Sequence, residues 1–326
     1  MVSTFLVGLR PQTLESFEVI SHADIGHESL QALSTHHQES LKELKLSGLH
    51  LTALPSLKNC VALESFHLDG GSADYSLGGA VILDIVDWLR NCKKLQNISL
   101  VRMFHSPEII KPVLLENDIR LLKLEVEGYM TVNNREFHQA LTNQTSLQSL
   151  KLKGDIDGTS VTDTEFFVDC LAKLTNLRDL QLRDVSDFFD DANICDLVRD
   201  LSELQVFWTS GFNISDAVLP ALTRLKLRSL SFGALTVFTK DSILRYISSL
   251  DPEQNKGLSF AVLNADPGYN LTEADQAQIR LSISQKVGGG FEFFLNRGPC
   301  PGVFSYSVLI PSADYDSSDG SDSESG

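Results

Sequence analysis

The pattern Leu-x-x-Leu-x-Leu returns along the chain at Leu41/Leu44/Leu46, Leu95/Ile98/Leu100, Leu147/Leu150/Leu152 and Leu177/Leu180/Leu182. Apolar residues at its first, fourth and sixth positions describe a short strand whose last two apolar side chains share one face, because side chains alternate along a strand. So short a strand cannot bury that face alone, and copies of it must stack. Looser copies at Leu14/Phe17/Val19, Leu63/Phe66/Leu68, Ile119/Leu122/Leu124, Leu204/Phe207/Thr209, Leu227/Leu230/Phe232, Gly257/Phe260/Val262 and Gly290/Phe293/Leu295 extend the series to about eleven. Successive starts lie between 22 residues (Leu41 to Leu63) and 33 residues (Gly257 to Gly290) apart, the length of a strand and a returning helix. The spacing predicts a solenoid, with parallel strands near 16–20, 43–47, 65–69, 97–101, 121–125, 149–153, 179–183, 206–210, 229–233, 259–263 and 291–296. One continuous array over residues 1–311 replaces the two or three globular domains that the length would otherwise suggest.

The segments between the motifs carry helical periodicity. Residues 79–91 place Val81, Ile85, Trp88 and Leu89 on one face, and 165–174 and 241–250 repeat the arrangement. Residues 51–62 are short and interrupted by Pro55, which favours a 3₁₀ turn over a full helix. After a helical stretch at 272–286, Gly288-Gly289-Gly290 leads into one strand and Val303 to Val308 alternates as a second, so 288–311 reads as a capping pair that closes the array. The final stretch, 312–326, is acidic, serine-rich and of low complexity, and is expected to be disordered.

Composition narrows the function. Hydrophobic residues make up 42% of the chain, yet no apolar run approaches the roughly 18 residues of a membrane span, so a soluble protein is expected. Residues 1–9 lack a basic n-region and a small-residue cleavage site, which argues against a signal peptide. Cys60, Cys92, Cys170, Cys195 and Cys300 are scattered and odd in number, a poor disulfide framework that suits a reducing cytoplasmic or nuclear setting. The formal charge of −16 argues against nucleic acid or an anionic membrane as the partner. Five of the acids lie in the tail, so the body remains acidic without them.

Two strands are preceded by cysteine, Cys60-x-x-Leu63-x-x-Phe66-x-Leu68 and Cys92-x-x-Leu95-x-x-Ile98-x-Leu100, and two helices open with Val161-Thr162-Asp163 and Ile214-Ser215-Asp216. These resemble the cysteine-containing repeats of F-box/leucine-rich-repeat proteins over about residues 10–300. A small Cys fits a buried corner, and Ser or Thr with Asp suits a helix N-terminus. The resemblance implies an α/β leucine-rich-repeat solenoid, a ribonuclease-inhibitor-like horseshoe with helices on its convex side. It also implies a substrate-recruiting or adaptor role related to ubiquitin-ligase receptors. The family's polar residue three places after each strand is replaced by Leu49, Gly71, Met103, Glu127, Asp155 and Val185, and the first repeat begins near residue 14, which leaves no F-box ahead of it.

No catalytic, metal or cofactor site is expected. His36 and His37 are adjacent, which on a helix points them apart, and they read as a solvated helix end. His67 stands beside Asp69 without a Ser or Cys placed for activation. Gly288-Gly289-Gly290 precedes a strand and lacks the spacing of a phosphate loop. The enzyme-class alternative is a Ran GTPase-activating protein, which also joins such repeats to an acidic tail; a purely structural scaffold is the other. The expectation is a monomer that binds a protein on the concave face, where side chains at motif positions 3, 5 and 7 point. There Lys123, Lys151, Lys153 and Arg183 form a basic stripe beside Trp208, and Trp and Arg are the residues most enriched at binding hot spots. Trp208, Arg183 and Lys151 are expected to share position 5 on successive strands. In the tail, Ser321 with Glu324 three residues on suits an acidophilic kinase.

Overall fold

A computed structural model of the chain describes residues 2–19, 25–49, 51–70, 78–155, 159–212 and 214–296. Thirteen strands form one sheet: β1 (Ser16–Glu18), β2 (Glu43–Ser47), β3 (Ser65–Asp69), β4 (Asn97–Val101), β5 (Lys123–Met130), β6 (Ser149–Asp155), β7 (Asp179–Arg183), β8 (Val206–Thr209), β9 (Ile214–Ser215), β10 (Ser229–Phe232), β11 (Thr236–Val237), β12 (Ser259–Ala265) and β13 (Gly290–Leu295). Eleven of them pair in parallel in the order of the repeats, and the two-residue strands β9 and β11 join at Thr236, opposite Ala265 of β12. The protein is therefore an α/β leucine-rich-repeat solenoid, and its strand register alone establishes this.

Alternation explains the packing. In β2 and β7 the outward residues are exposed or half-exposed while Leu44, Leu46, Leu180 and Leu182 are at most 1% exposed. Each such side chain contributes about 1.5–3 kcal/mol by leaving water, so the repeats are held mainly by this one apolar layer between sheet and helices. The helices vary: Gly79–Asn91 buries Ile85, Val86, Trp88 and Leu89, whereas Leu51–Leu57 is a 3₁₀ helix around Pro55, as its composition predicts.

Main-chain bonds fix turns that lack a polar residue three places after the strand motif. Gly48 donates to Asp69 O (3.2 Å), Gly70 to Val101 O (3.0 Å) and Met103 to Glu127 O (3.1 Å), so each turn is bonded to the next. Leu49, Met103 and Val185 are thus free to be buried. At the opposite edge, Gln144 and Asn255 occupy the corner position that Cys60 and Cys92 fill in other repeats, and both amides bond carbonyls of the preceding repeat.

Helix Val2–Gly8 packs ahead of β1 through Leu6, which is fully buried. His37 is also fully buried, with Nε2 3.2 Å from Leu6 O, so it belongs to this closure and is not part of a solvated helix end. At the other end Gly288 takes the left-handed C-cap (φ 66°) of helix Glu273–Val287. Gly289 carries no side chain because a Cβ there would stand 2.1 Å from Leu258 O. The strand expected at 303–308, the tail 312–326, Cys300 and Ser321 lie outside the described residues.

Two motifs depart from their expected places. The last, expected as Gly290/Phe293/Leu295, is Gly288/Phe291/Phe293, since Phe291 lies opposite Phe260 and Phe293 opposite Val262. The motif taken as Ile119/Leu122/Leu124 is Leu121/Leu124/Val126, since Leu124 lies opposite both Ile98 and Leu150. Leu121 is fully buried rather than on the open face, and the outward residues of β5 are Lys123, Glu125 and Glu127. The strand also runs on to Met130 through an irregularity at Gly128 (φ 82°).

Candidate functional site on the open face of the sheet

Because the strands are in register, side chains at the same motif position form rows across the sheet. The position-5 row runs Glu18, Lys45, His67, Ser99, Glu125, Lys151, Gln181, Trp208, Ser231, Ala261, Glu292. Gln181, not Arg183, is therefore the member between Lys151 and Trp208. Arg183 stands at position 7, opposite Lys153.

Arg183 nevertheless reaches Trp208. Along β7, Gln181 Nε2 donates to Asp179 Oδ1 (3.0 Å) and Arg183 Nη2 donates to Gln181 Oε1 (3.1 Å). This chain leans the guanidinium over the indole, with its carbon 5.2 Å from the ring centre. The far edge of the indole lies against Gly233, just after β10, where a Cβ would meet Cζ2 and Cη2 at 2.5 Å. Trp208 is thus half-buried, held between Arg183 and a residue without a side chain.

The lysines are less isolated in sign than their spacing implies. The register sets Lys151 opposite Glu125 and Lys153 opposite Glu127. None of Lys123, Lys151 and Lys153 has an acidic partner within 4.0 Å among the described residues. The cations of β6 and β7 are thus bordered by acids on β5.

A line of hydrogen bonds that sequence reasoning missed lies further along the same row. Ser99 Oγ donates to Glu125 Oε2 at 2.6 Å and lies 2.9 Å from His67 Nδ1. A serine does therefore stand beside His67, contrary to expectation. Asp69 instead holds Arg102 in a two-point ion pair. The three groups sit in an open trough of about 790 Å³ together with Lys45, Lys123 and Lys151. Ser99 gives its proton to a carboxylate, and the neighbouring backbone N–H groups are committed to the strand ladder. The arrangement can recognise polar groups.

Three titratable groups in the core are structural. Burial pushes the Cys60 and Cys92 thiols up to about 12, so both stay protonated and unreactive at neutral pH. Burial also lowers His138 to about 4, among Tyr129, Phe137 and Phe167. Among the described residues no three His, Cys, Asp or Glu side chains are grouped to hold a metal, and no helix is long and apolar enough to cross a membrane.

No protein-family model matches the chain, and no curated protein does. Among solved structures the chain is similar to that described as the crystal structure of the Rad7 and Elc1 complex in yeast, at 13% identity and a TM-score of 0.49, over 89% of this chain and 71% of that one. It is similar also to the TLR13–ssRNA13 complex, at 15% identity and a TM-score of 0.41, over 79% of this chain and 39% of that one.

Proposed function

We propose that the protein is a non-catalytic recognition module that takes a protein partner on the open face of its sheet, centred on Trp208 and Arg183 with Lys151, Lys153 and Lys123 around them. One observation carries this reading. An indole is packed against Gly233 and covered by Arg183, beside lysines that have no ion-pair partner among the described residues. A rigid, half-exposed aromatic with a cation on it loses little entropy on binding, and such pairs are the usual energetic centres of interfaces. The charges favour an acidic extended or helical segment of the partner. In the finer reading, the chain acts as a substrate-recruiting or adaptor protein related to F-box/leucine-rich-repeat receptors of ubiquitin ligases, as a monomer in the cytoplasm or nucleus; the resemblance of the Cys60 and Cys92 repeats motivates it.

The test is affinity purification of the full chain beside its Trp208→Ala and Arg183→Ala variants, followed by titration of the recovered partner. A hot-spot Trp should cost about thirtyfold in affinity, with a smaller loss for Lys123→Ala at the rim. An unchanged affinity in a folded Trp208→Ala variant removes the open face from the reading.

A further inference from the structure

A second surface, of opposite sign, lies where the chain leaves β6, β7 and β8. Val161, Phe188 and Phe212 are 52%, 45% and 58% exposed. All three line one groove of about 340 Å³, and Glu165, Asp187 and Asp190 stand around it. Their exposure is built into the loops. Phe189 takes the inward place and is fully buried, which turns Phe188 outward. Phe188 N is held by Ser186 Oγ (3.0 Å), and Phe212 N donates to Phe189 O (3.2 Å), so the loops after β7 and β8 are bonded to each other. Gly211, at φ 146°, permits this approach, since a Cβ there would stand 2.4 Å from Phe189 O. Two aromatic rings on consecutive repeats are therefore presented to water on fixed backbone.

The acids around the groove are also unspent. Glu165, Asp187 and Asp190 have no basic partner within 4.0 Å among the described residues, and Asp190 uses a single oxygen, Oδ1, to cap helix Asp191–Asp200. An apolar floor with a negative rim selects an apolar anchor flanked by cations. The acidic tail of this same chain, 312–326, has the wrong sign to occupy it.

We infer that this groove docks a short basic segment of a partner protein, whose one bulky apolar side chain inserts between Phe188 and Phe212 while its Lys or Arg residues meet Glu165, Asp187 and Asp190. The site is separate from Trp208 and opposite in charge preference.

The experiment uses the full chain and three fluorescein-labelled peptides of equal length, read by anisotropy. The first carries lysines around a central Leu-Phe pair, the second has that pair replaced by serines, and the third has the lysines replaced by glutamates. The first should bind and the other two should be at least about tenfold weaker. Phe188→Ala with Phe212→Ala, and separately Glu165→Lys with Asp187→Lys, should each weaken the first peptide by about tenfold or more, while Trp208→Ala leaves it unchanged. All four altered groove residues are exposed, and an unchanged thermal transition shows that the fold is kept. Equal binding of the serine peptide would mean diffuse charge attraction and would overturn the proposal, as would unchanged binding by the Phe188→Ala, Phe212→Ala variant. Self-association in sedimentation velocity that disappears in that variant would assign the groove to a second copy of the chain and overturn it equally.

Discussion

Trp208 lies across Gly233, so closely that a methyl group on that glycine would stand 2.5 Å from both Cζ2 and Cη2 of the indole. The absence of a side chain at 233 leaves room for the ring, which Arg183 covers.

Gly233→Ala should therefore lift the indole without unfolding the chain, because the contact is with a ring at the surface and not with backbone. The expected outcome is greater quenching of Trp208 by acrylamide and loss of the cation–π contact, worth about 0.5–1 kcal/mol at an exposed site. Trp88 is 1% exposed and stays shielded, so the change in the accessible fraction reports on Trp208 alone. Identical quenching in wild type and variant would show that the ring does not rest on Gly233.

His138 should make the protein sensitive to acid. It is 1% exposed, both ring nitrogens lack a hydrogen-bond partner among the described residues, and burial lowers it from 6.5 to about 4, against an opposing pull from Asp163. Below pH 6.5 the unfolded chain takes up a proton that the folded one refuses, so stability falls as the pH drops from 6.5 towards 4. The full loss at the lower end is about 3 kcal/mol. His138→Phe keeps an aromatic ring in the box of Tyr129, Phe137 and Phe167 and removes the titrating group. Urea midpoints at pH 7 and pH 4.5 should converge in the variant; an equal drop in both proteins would acquit His138.

The array was legible in the sequence because its cause is local: apolar residues at motif positions 1, 4 and 6 are enough to fix a strand and its buried face. The register of β5 was ambiguous for the same reason. Ile119, Leu121, Leu122, Leu124 and Val126 are all apolar, so two alignments fit and only the neighbouring strands choose between them. Strands β9 and β11 are two residues each, too short to leave a period. Trp208, Arg183 and Lys151 could be named from the sequence, but the place of Arg183 over the indole depends on a side chain bending from position 7 to position 5. His67, Ser99 and Glu125 are separated by 32 and 26 residues, and only the register across three strands brings them together.

Gln144 illustrates a buried polar residue with a definite task. Its Oε1 accepts from Leu121 N (2.9 Å), and its Nε2 donates to Leu114 O (2.9 Å) and Ile119 O (3.3 Å), with the side chain fully buried. Gln144→Leu keeps the bulk and strands one N–H and two carbonyls, at a cost of about 2 kcal/mol or more. The exposed Gln139→Leu is the control. Hydrogen exchange at the Leu121 amide should accelerate in the first variant only, and protection that survives in Gln144→Leu would show that the corner bond is dispensable.

The line through Ser99 fixes the direction of every proton in it. Glu125 as a carboxylate can only accept, and at 2.6 Å from Ser99 Oγ it takes the one hydroxyl proton. Ser99 is then left with lone pairs, so the 2.9 Å contact with His67 must be an Nδ1–H donating to it. A neutral His67 is thereby held with its proton on Nδ1, and Nε2 becomes an acceptor beside the trough, suited to an N–H or O–H of a bound segment. Long-range proton–nitrogen NMR of the imidazole should find the Nδ1–H tautomer in the wild type. Ser99→Ala should abolish the preference by removing the acceptor, and Glu125→Gln should weaken it, because a neutral amide can donate to Ser99 as well as accept. An Nε2–H ring in the wild type would mean that Ser99 gives its proton to His67 Nδ1 rather than to Glu125, and would leave the trough presenting a donor at His67 instead.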